Sequence, residues 1–282
     1  RDTIAQIKST PEKTSTEISF STKVNGEESE CIMSFNAIPE FNENELETIL
    51  FVGHDITEAK RIELEIQDKN RKIEDSINYA QRIQTSILPD NRIIQEFIPK
   101  SFIFYRPRDV VSGDFPWFFK KDGEVYIAAV DCTGHGVPGA FMSMLGISLL
   151  NEISSKFTNN PTNEIMDELR DRVIAALGQT GDKYETKDGI EMSLVAINTN
   201  TREVQFTGAN HNLHTFQQGE LVIVNGDTMP VGIHSESSTL FTASTLKLNR
   251  GDTLYMFSDG FIDQFGGKKR KKFGTQQLRT LL

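Results

Sequence analysis

The chain has 282 residues, 37% hydrophobic and 25% charged, with a formal net charge of −10. That is ordinary globular composition, enough for one large core and a smaller unit. The acidic balance argues against the basic face of a nucleic-acid binder, and the excess acid is scattered in the way that mainly confers solubility.

Cys31 and Cys132 stand about a hundred residues apart with no CxxC spacing. This disfavours a structural disulfide or zinc knuckle and favours a reducing, cytoplasmic setting. No run of ~18 apolar residues marks a membrane span, and no signal peptide is visible. The first residue is Arg1 rather than Met, so the sequence is expected to be a piece of something longer. A membrane anchor ahead of it stays open.

Residues 1–58 read as strands. Residues 17–24 alternate, Asn25-Gly26 signals a hairpin turn, residues 31–35 start the return, and Ile49-Leu-Phe-Val52 supplies a third run. Such a half-sheet cannot close a core by itself.

A helix is expected over 57–89, ended by Pro89. Thr57 is expected to cap it, but Lys60 rather than Glu stands three residues on, so the capping box is incomplete. Ile66, Ile73, Ala80 and Ile87 recur every seven residues, with Asn70, Ile77 and Gln84 on the companion seam. One apolar and one mostly polar track predict a weak parallel coiled coil and hence a homodimer. The alternative is an amphipathic helix packed on its own domain.

The third region, 98–282, opens with alternation at Phe102 and Phe104. Strands at 115–120 and 124–130 flank Lys121-Asp122-Gly123 and predict a hairpin. An apolar helix follows Pro138, a second helix covers about 162–177, and the remainder alternates and turns, predicting an α+β fold of antiparallel sheets.

That hairpin would bring Asp114 and Asp131 side by side, and Asp259 sits at another strand end. Two charges ~4 Å apart repel by about 4 kcal/mol at an effective dielectric near 20, so a cation is expected between them. Oxygen ligands without His or Cys suit Mg²⁺ or Mn²⁺. The competing reading makes these Asp-Gly pairs simple turns. His135, among glycines, is a candidate proton donor or a turn residue satisfying backbone groups. Arg108, six residues before Asp114, is a candidate fork for a substrate phosphate. Arg106 competes for that role, and a plain surface charge is the alternative for either.

Val111-Ser-Gly-Asp-Phe115, Asp131-Cys-Thr-Gly-His-Gly-Val-Pro-Gly-Ala-Phe-Met142, Gly208-Ala-Asn-His211, Met229-Pro-Val-Gly232 and Met256-Phe-Ser-Asp-Gly-Phe-Ile-Asp-Gln-Phe-Gly-Gly267 occur in that order. Together they resemble the metal-dependent serine/threonine phosphatases (PPM, type 2C), and more narrowly the SpoIIE/RsbU-like bacterial branch, over about residues 76–282. The resemblance implies a sandwich of two antiparallel sheets flanked by helices, with two Mn²⁺ or Mg²⁺ ions at one end. It makes Asp131 the bridge between the metals, gives the backbone carbonyl of Cys132 to one of them, and puts Asp114 and Asp259 on further ligand positions. It implies attack by water, with no nucleophilic side chain. The implied substrate is a phosphorylated anti-sigma-factor antagonist. A non-catalytic scaffold that keeps the fold is the alternative.

This sequence departs from the branch in three ways. It ends before a late Asp-Asp, which would supply another metal ligand. It has Pro116 where an aromatic is common, expected to distort the strand after Asp114. It has Glu191 where Asp is common. Gly53-His-Asp-Ile-Thr-Glu58, after the first hairpin, resembles the exit of a PAS sensor domain into a signalling helix. A sensor histidine kinase output is disfavoured, because residues 57–88 contain no His.

Overall fold

In the computed structural model, which describes residues 14–24, 27–43, 45–90, 92–156, 160–182, 187–234, 239–268 and 270–282, the chain divides into two compact units, Arg1–Ser76 and Ile77–Leu282. In the first, strands β1 (Thr14–Val24), β2 (Glu27–Asn42) and β3 (Glu45–Asp55) form an antiparallel sheet in that order. The expected Asn25-Gly26 turn lies outside the described residues. Pairing sets Ile18 opposite Met33, Phe20 opposite Cys31, and Ala37 opposite Phe51. Period-two alternation therefore gathers these apolar side chains on one face.

Helix α1 (Thr57–Ile87) leaves this sheet and crosses the division between the units. Its start is held by Asp55, not by a Thr57 cap. The Asp55 carboxylate accepts the Thr57 backbone N–H at 2.9 Å and its hydroxyl at 2.6 Å, while Thr57 Oγ1 accepts the Ile32 N–H at 2.8 Å. Those hydrogen bonds hold the Asp55 pKa below its ordinary value. Exposed pairs such as Arg61–Glu58 and Lys69–Glu65 line the helix, where solvent screens them to little net effect.

The second unit continues through α2 (Ile93–Phe97), the hairpin β4 (Phe115–Lys121) and β5 (Glu124–Cys132), and helices α3 (Gly136–Ser155) and α4 (Thr162–Leu177). Then come β6 (Gly189–Asn198), β7 (Glu203–Ala209), β8 (Leu213–Gln217), β9 (Glu220–Val224), β10 (Val231–Gly232), β11 (Ser244–Lys247) and β12 (Thr253–Tyr255). Last are α5 (Asp259–Ile262), the short pair β13 (Phe265–Gly266) and β14 (Lys271–Lys272), and α6 (Gly274–Leu281).

One six-stranded sheet runs β11-β7-β6-β5-β4 with β10 on β6, and a three-stranded sheet runs β12-β8-β9. Alternation separates two cores. Tyr126, Ala128, Val130, Met192, Leu194 and Ala196 pack with Ile147 and Leu150 of α3 and Ile165 and Leu169 of α4. From the other face, Val195, Val204 and Phe206 meet Leu213, with Val224 and Leu254 of the small sheet packed against them. The result is the expected α+β sandwich of two antiparallel sheets, with helices outside.

Three details differ from expectation. Pro116 does not distort β4: it pairs in unbroken register with Ala129 on an edge strand, where a missing N–H can face outward at no cost to the ladder. Residues 101–107 form no strand, and Phe102 and Phe104 are exposed. Helix α3 is long and apolar enough to cross a membrane by composition. Ile147, Leu150 and Ile153 on it are nevertheless fully buried in the core, which explains its apolarity.

Candidate metal centre

The β4–β5 hairpin positions the first two carboxylates. Phe115 pairs with Val130, so Asp114, just outside β4, stands across from Asp131, and the two carboxyl groups interact. Asp259, the first residue of α5, adds its charge to theirs. Burial, then the charges of Asp114 and Asp259, push the Asp131 pKa up to about 8. Asp259 is likewise raised, by burial first and then by Asp263 and Asp114. Burial and mutual repulsion together are the electrostatic cost of gathering these acids.

The three are neighbours, but they do not close round one point. Among the described residues no three Asp, Glu, His or Cys side chains form a ready metal-holding group. Asp114 instead accepts the Ser258 hydroxyl at 2.5 Å. The donor set is entirely hard oxygen and mutually repulsive, and therefore fits a divalent ion of the Mg²⁺ or Mn²⁺ kind. Cys132 is buried, and burial and Asp131 push its thiol pKa far up. Its side chain is thus an unreactive core group, and its backbone carbonyl is the part facing the loop at Gly113.

Close backbone packing makes that loop possible. A Cβ on Gly113 would come within 2.9 Å of the Gly134 carbonyl oxygen and 3.1 Å of that of Cys132. One on Gly139 would lie 2.6 Å from the Gly134 oxygen. Only glycine lets the segment before Asp114 and the start of α3 sit this near each other.

Several groups around the cluster have roles that the sequence read alone did not assign to them. Glu191 pairs with Asp131 across β5 and β6 and belongs to the same field. Its carboxylate accepts from Asn210 Nδ2 at 2.9 Å and stands 3.9 Å from His211 Nε2. Asn210 is a turn residue, at φ 56°, and it also holds Glu191. His211 is half-buried, and desolvation lowers its pKa against the pull of Glu191, Asp259 and Asp114. Gln84 of α1 is buried and grips the segment ahead of Asp114: Nε2 donates to the Ser112 carbonyl at 2.7 Å and to Ser143 Oγ at 2.8 Å, and Oε1 accepts the Ser112 N–H at 3.1 Å. Gln84 is thus engaged within its own unit and is no seam residue of a coil. Arg108, six residues before Asp114, and His135, four after Asp131, face a common neighbour, Asp109. Arg106 is exposed and has no ion-pair partner among the described residues.

Residues 121–282 match the family model of Stage II sporulation protein E (SpoIIE). The chain belongs to the SpoIIE family. Among solved structures it resembles the SiaA PP2C domain of Pseudomonas aeruginosa at 30% identity and TM-score 0.65, over 76% of this chain and 82% of that one. The RsbU and RsbW domains of a Mycobacterium tuberculosis protein match at 21% identity and TM-score 0.48, over 62% of this chain and 46% of that one. The SpoIIE phosphatase domain of Bacillus subtilis, with a fragment of its regulatory domain, matches at 19% and 0.48, over 60% and 46%. The chain spans under half the length of these last two. Curated proteins give no significant match. As a SpoIIE-family PP2C domain, the chain is a metal-dependent protein serine/threonine phosphatase.

Proposed function

We propose that this phosphatase removes phosphate from phosphoserine or phosphothreonine on an anti-sigma-factor antagonist, in the cytoplasm and under control of an upstream PAS-type sensor. The observation that carries the reading is the gathering of Asp114 just before β4, Asp131 near the end of β5 and Asp259 at the start of α5 rather than at the expected strand end. All three are half-buried to exposed rather than enclosed in the core. A protein-borne phosphate can reach such a place.

In this reading Asp131, Asp114, Asp259 and the Cys132 carbonyl would hold two Mn²⁺ or Mg²⁺ ions. Bound there, the ions supply water activation and neutralise phosphoryl charge. The chain's own groups do the rest. Arg108 clamps phosphate oxygens with its guanidinium fork. His135 delivers a proton to the departing serine oxygen. The SpoIIE/RsbU-like motifs across residues 76–282 support that substrate class. Its test compares phosphate release from a phosphorylated anti-sigma-factor antagonist and from an unrelated phosphoserine protein. At least a tenfold preference in kcat/KM for the antagonist is expected, corresponding to about 1.4 kcal/mol of differential transition-state binding. Equal rates would overturn the substrate assignment.

Sensor control in this proposal passes through a dimer of α1. Ile66 and Ile73 are 52% and 57% exposed, at positions that repeat every seven residues toward Ile87. A second α1 would cover that stripe. Ile73→Lys is expected to convert a dimer to a monomer by light scattering. A wild-type chain that is already monomeric at micromolar concentration would contradict it.

A further inference from the structure

The loop after β5 holds His135 away from the body of the protein. Gly134 and Gly136 on either side have φ of 90° and 62°, conformations that glycine adopts readily. His135 is extended, its side chain caps no amide of α3, and 73% of that side chain is exposed. The turn therefore presents the imidazole instead of using it to satisfy backbone groups. Its ion-pair partner among the described residues is Asp109, with Nδ1 3.5 Å from Oδ2. The other Asp109 oxygen stands 3.6 Å from Arg108 Nε. One carboxylate thus faces both side chains assigned to the substrate above. Beside them opens a cavity of about 650 Å³, lined by Ile77, Val110, Val111 and Val137 together with Arg108 and Asp109.

We infer that Asp109 is a positioning residue for phosphoester cleavage, holding His135 by Nδ1 so that Nε2 faces the leaving oxygen, with Arg108 fixed alongside. This rests on the reading of His135 as the proton donor. An exposed imidazole on a glycine-flanked loop rotates freely. A carboxylate at Nδ1 selects one ring orientation, as an orienting acid does in other His-dependent sites. In the step it serves, the bond between phosphorus and the serine oxygen breaks. That oxygen takes the Nε2 proton and leaves as a hydroxyl. Water supplies the oxygen of the new bond to phosphorus and releases its proton to solvent, and the imidazole regains a proton from solvent.

A loop salt bridge with a purely structural role would affect all substrates alike, so leaving-group dependence separates the two. p-Nitrophenolate departs without protonation, whereas a serine alkoxide does not. In the Mn²⁺-loaded chain, Asp109→Asn is expected to lower kcat on a phosphoserine peptide about tenfold more than kcat on p-nitrophenyl phosphate, a modest part of what general acid catalysis supplies. Asp109→Glu is expected to restore most of the difference. Equal losses on both substrates for Asp109→Asn would overturn the proposal. His135→Ala distinguishes the two levels. If it shows the leaving-group-dependent loss and Asp109→Asn does not, the positioning role alone fails. If His135→Ala lacks that pattern, the proton-donor reading fails and the positioning role with it.

Discussion

Asp131→Asn is expected to reduce phosphate release from a phosphoserine peptide by at least about a thousandfold, with Mn²⁺ affinity falling in parallel. Asp131 is the group on which the other acids bear: its pKa is pushed up to about 8 by burial, then by Asp114 and Asp259, with Glu191 contributing. A cation placed among these groups relieves several repulsions at once, each of about 4 kcal/mol at ~4 Å and an effective dielectric near 20. Removing the central charge therefore weakens ion binding more than removing a peripheral one would. Asparagine nearly preserves size, and Asp131 lies outside the apolar clusters, so the melting temperature without added metal should not fall. A rise is the expected direction, because a carboxylate whose pKa is pushed up to about 8 must take up a proton on folding near neutral pH, a cost asparagine does not carry. Calorimetric Mn²⁺ titration and a thermal scan on the same preparation check both halves. Unchanged Mn²⁺ affinity would remove Asp131 from the centre.

The second large effect is expected at Gln84, which touches neither substrate nor ligand residues. Gln84→Ala leaves the buried Ser112 N–H without its acceptor. Ser112's carbonyl keeps one donor, because Ser143 Oγ also lies 3.0 Å from it. An orphaned buried backbone group costs about 1–3 kcal/mol, which in a unit of this size lowers the melting temperature by roughly 2–4 °C per kcal/mol. The effect on turnover should be larger than on stability. Ser112 Oγ accepts the Asp114 N–H at 3.1 Å, so a slack Ser112 displaces the carboxylate, and ~1 Å of misplacement can cost about a hundredfold in rate. Gln84→Glu is the sharper control. It can still accept from Ser112 N–H, but it turns an oxygen on the Ser112 carbonyl, and it should be no better than alanine. Wild-type turnover in Gln84→Glu would show that the clamp does not position Asp114.

Asp114 and Asp131 were legible as a pair because their hairpin is local: two alternating runs around Asp122-Gly123 fix the register without help from the rest of the chain. Asp259 was legible from its place after an apolar run, and the two-sheet architecture from the antiparallel texture. What escaped depends on distant contacts. Gln84 reads as a polar seam position in a heptad, yet it is buried by partners 28 and 59 residues away. Asp109 has no motif of its own and acquires a role only where the loop before Asp114 meets the start of α3. Glu191 could have been found by extending the pairing one strand further, since it falls opposite Asp131. Alternation at Phe102 and Phe104 misled for the opposite reason: a strand needs a neighbour to share its hydrogen bonds, and residues 101–107 have no ladder partner among the described residues.

The most direct test of the metal-phosphatase assignment is phosphate release from a phosphoserine peptide, measured as Mn²⁺ is titrated in and then removed with a chelator. The expected result is turnover that rises saturably with Mn²⁺, falls to the uncatalysed rate on chelation, and returns when the metal is restored. Turnover that persists unchanged after complete chelation would contradict it.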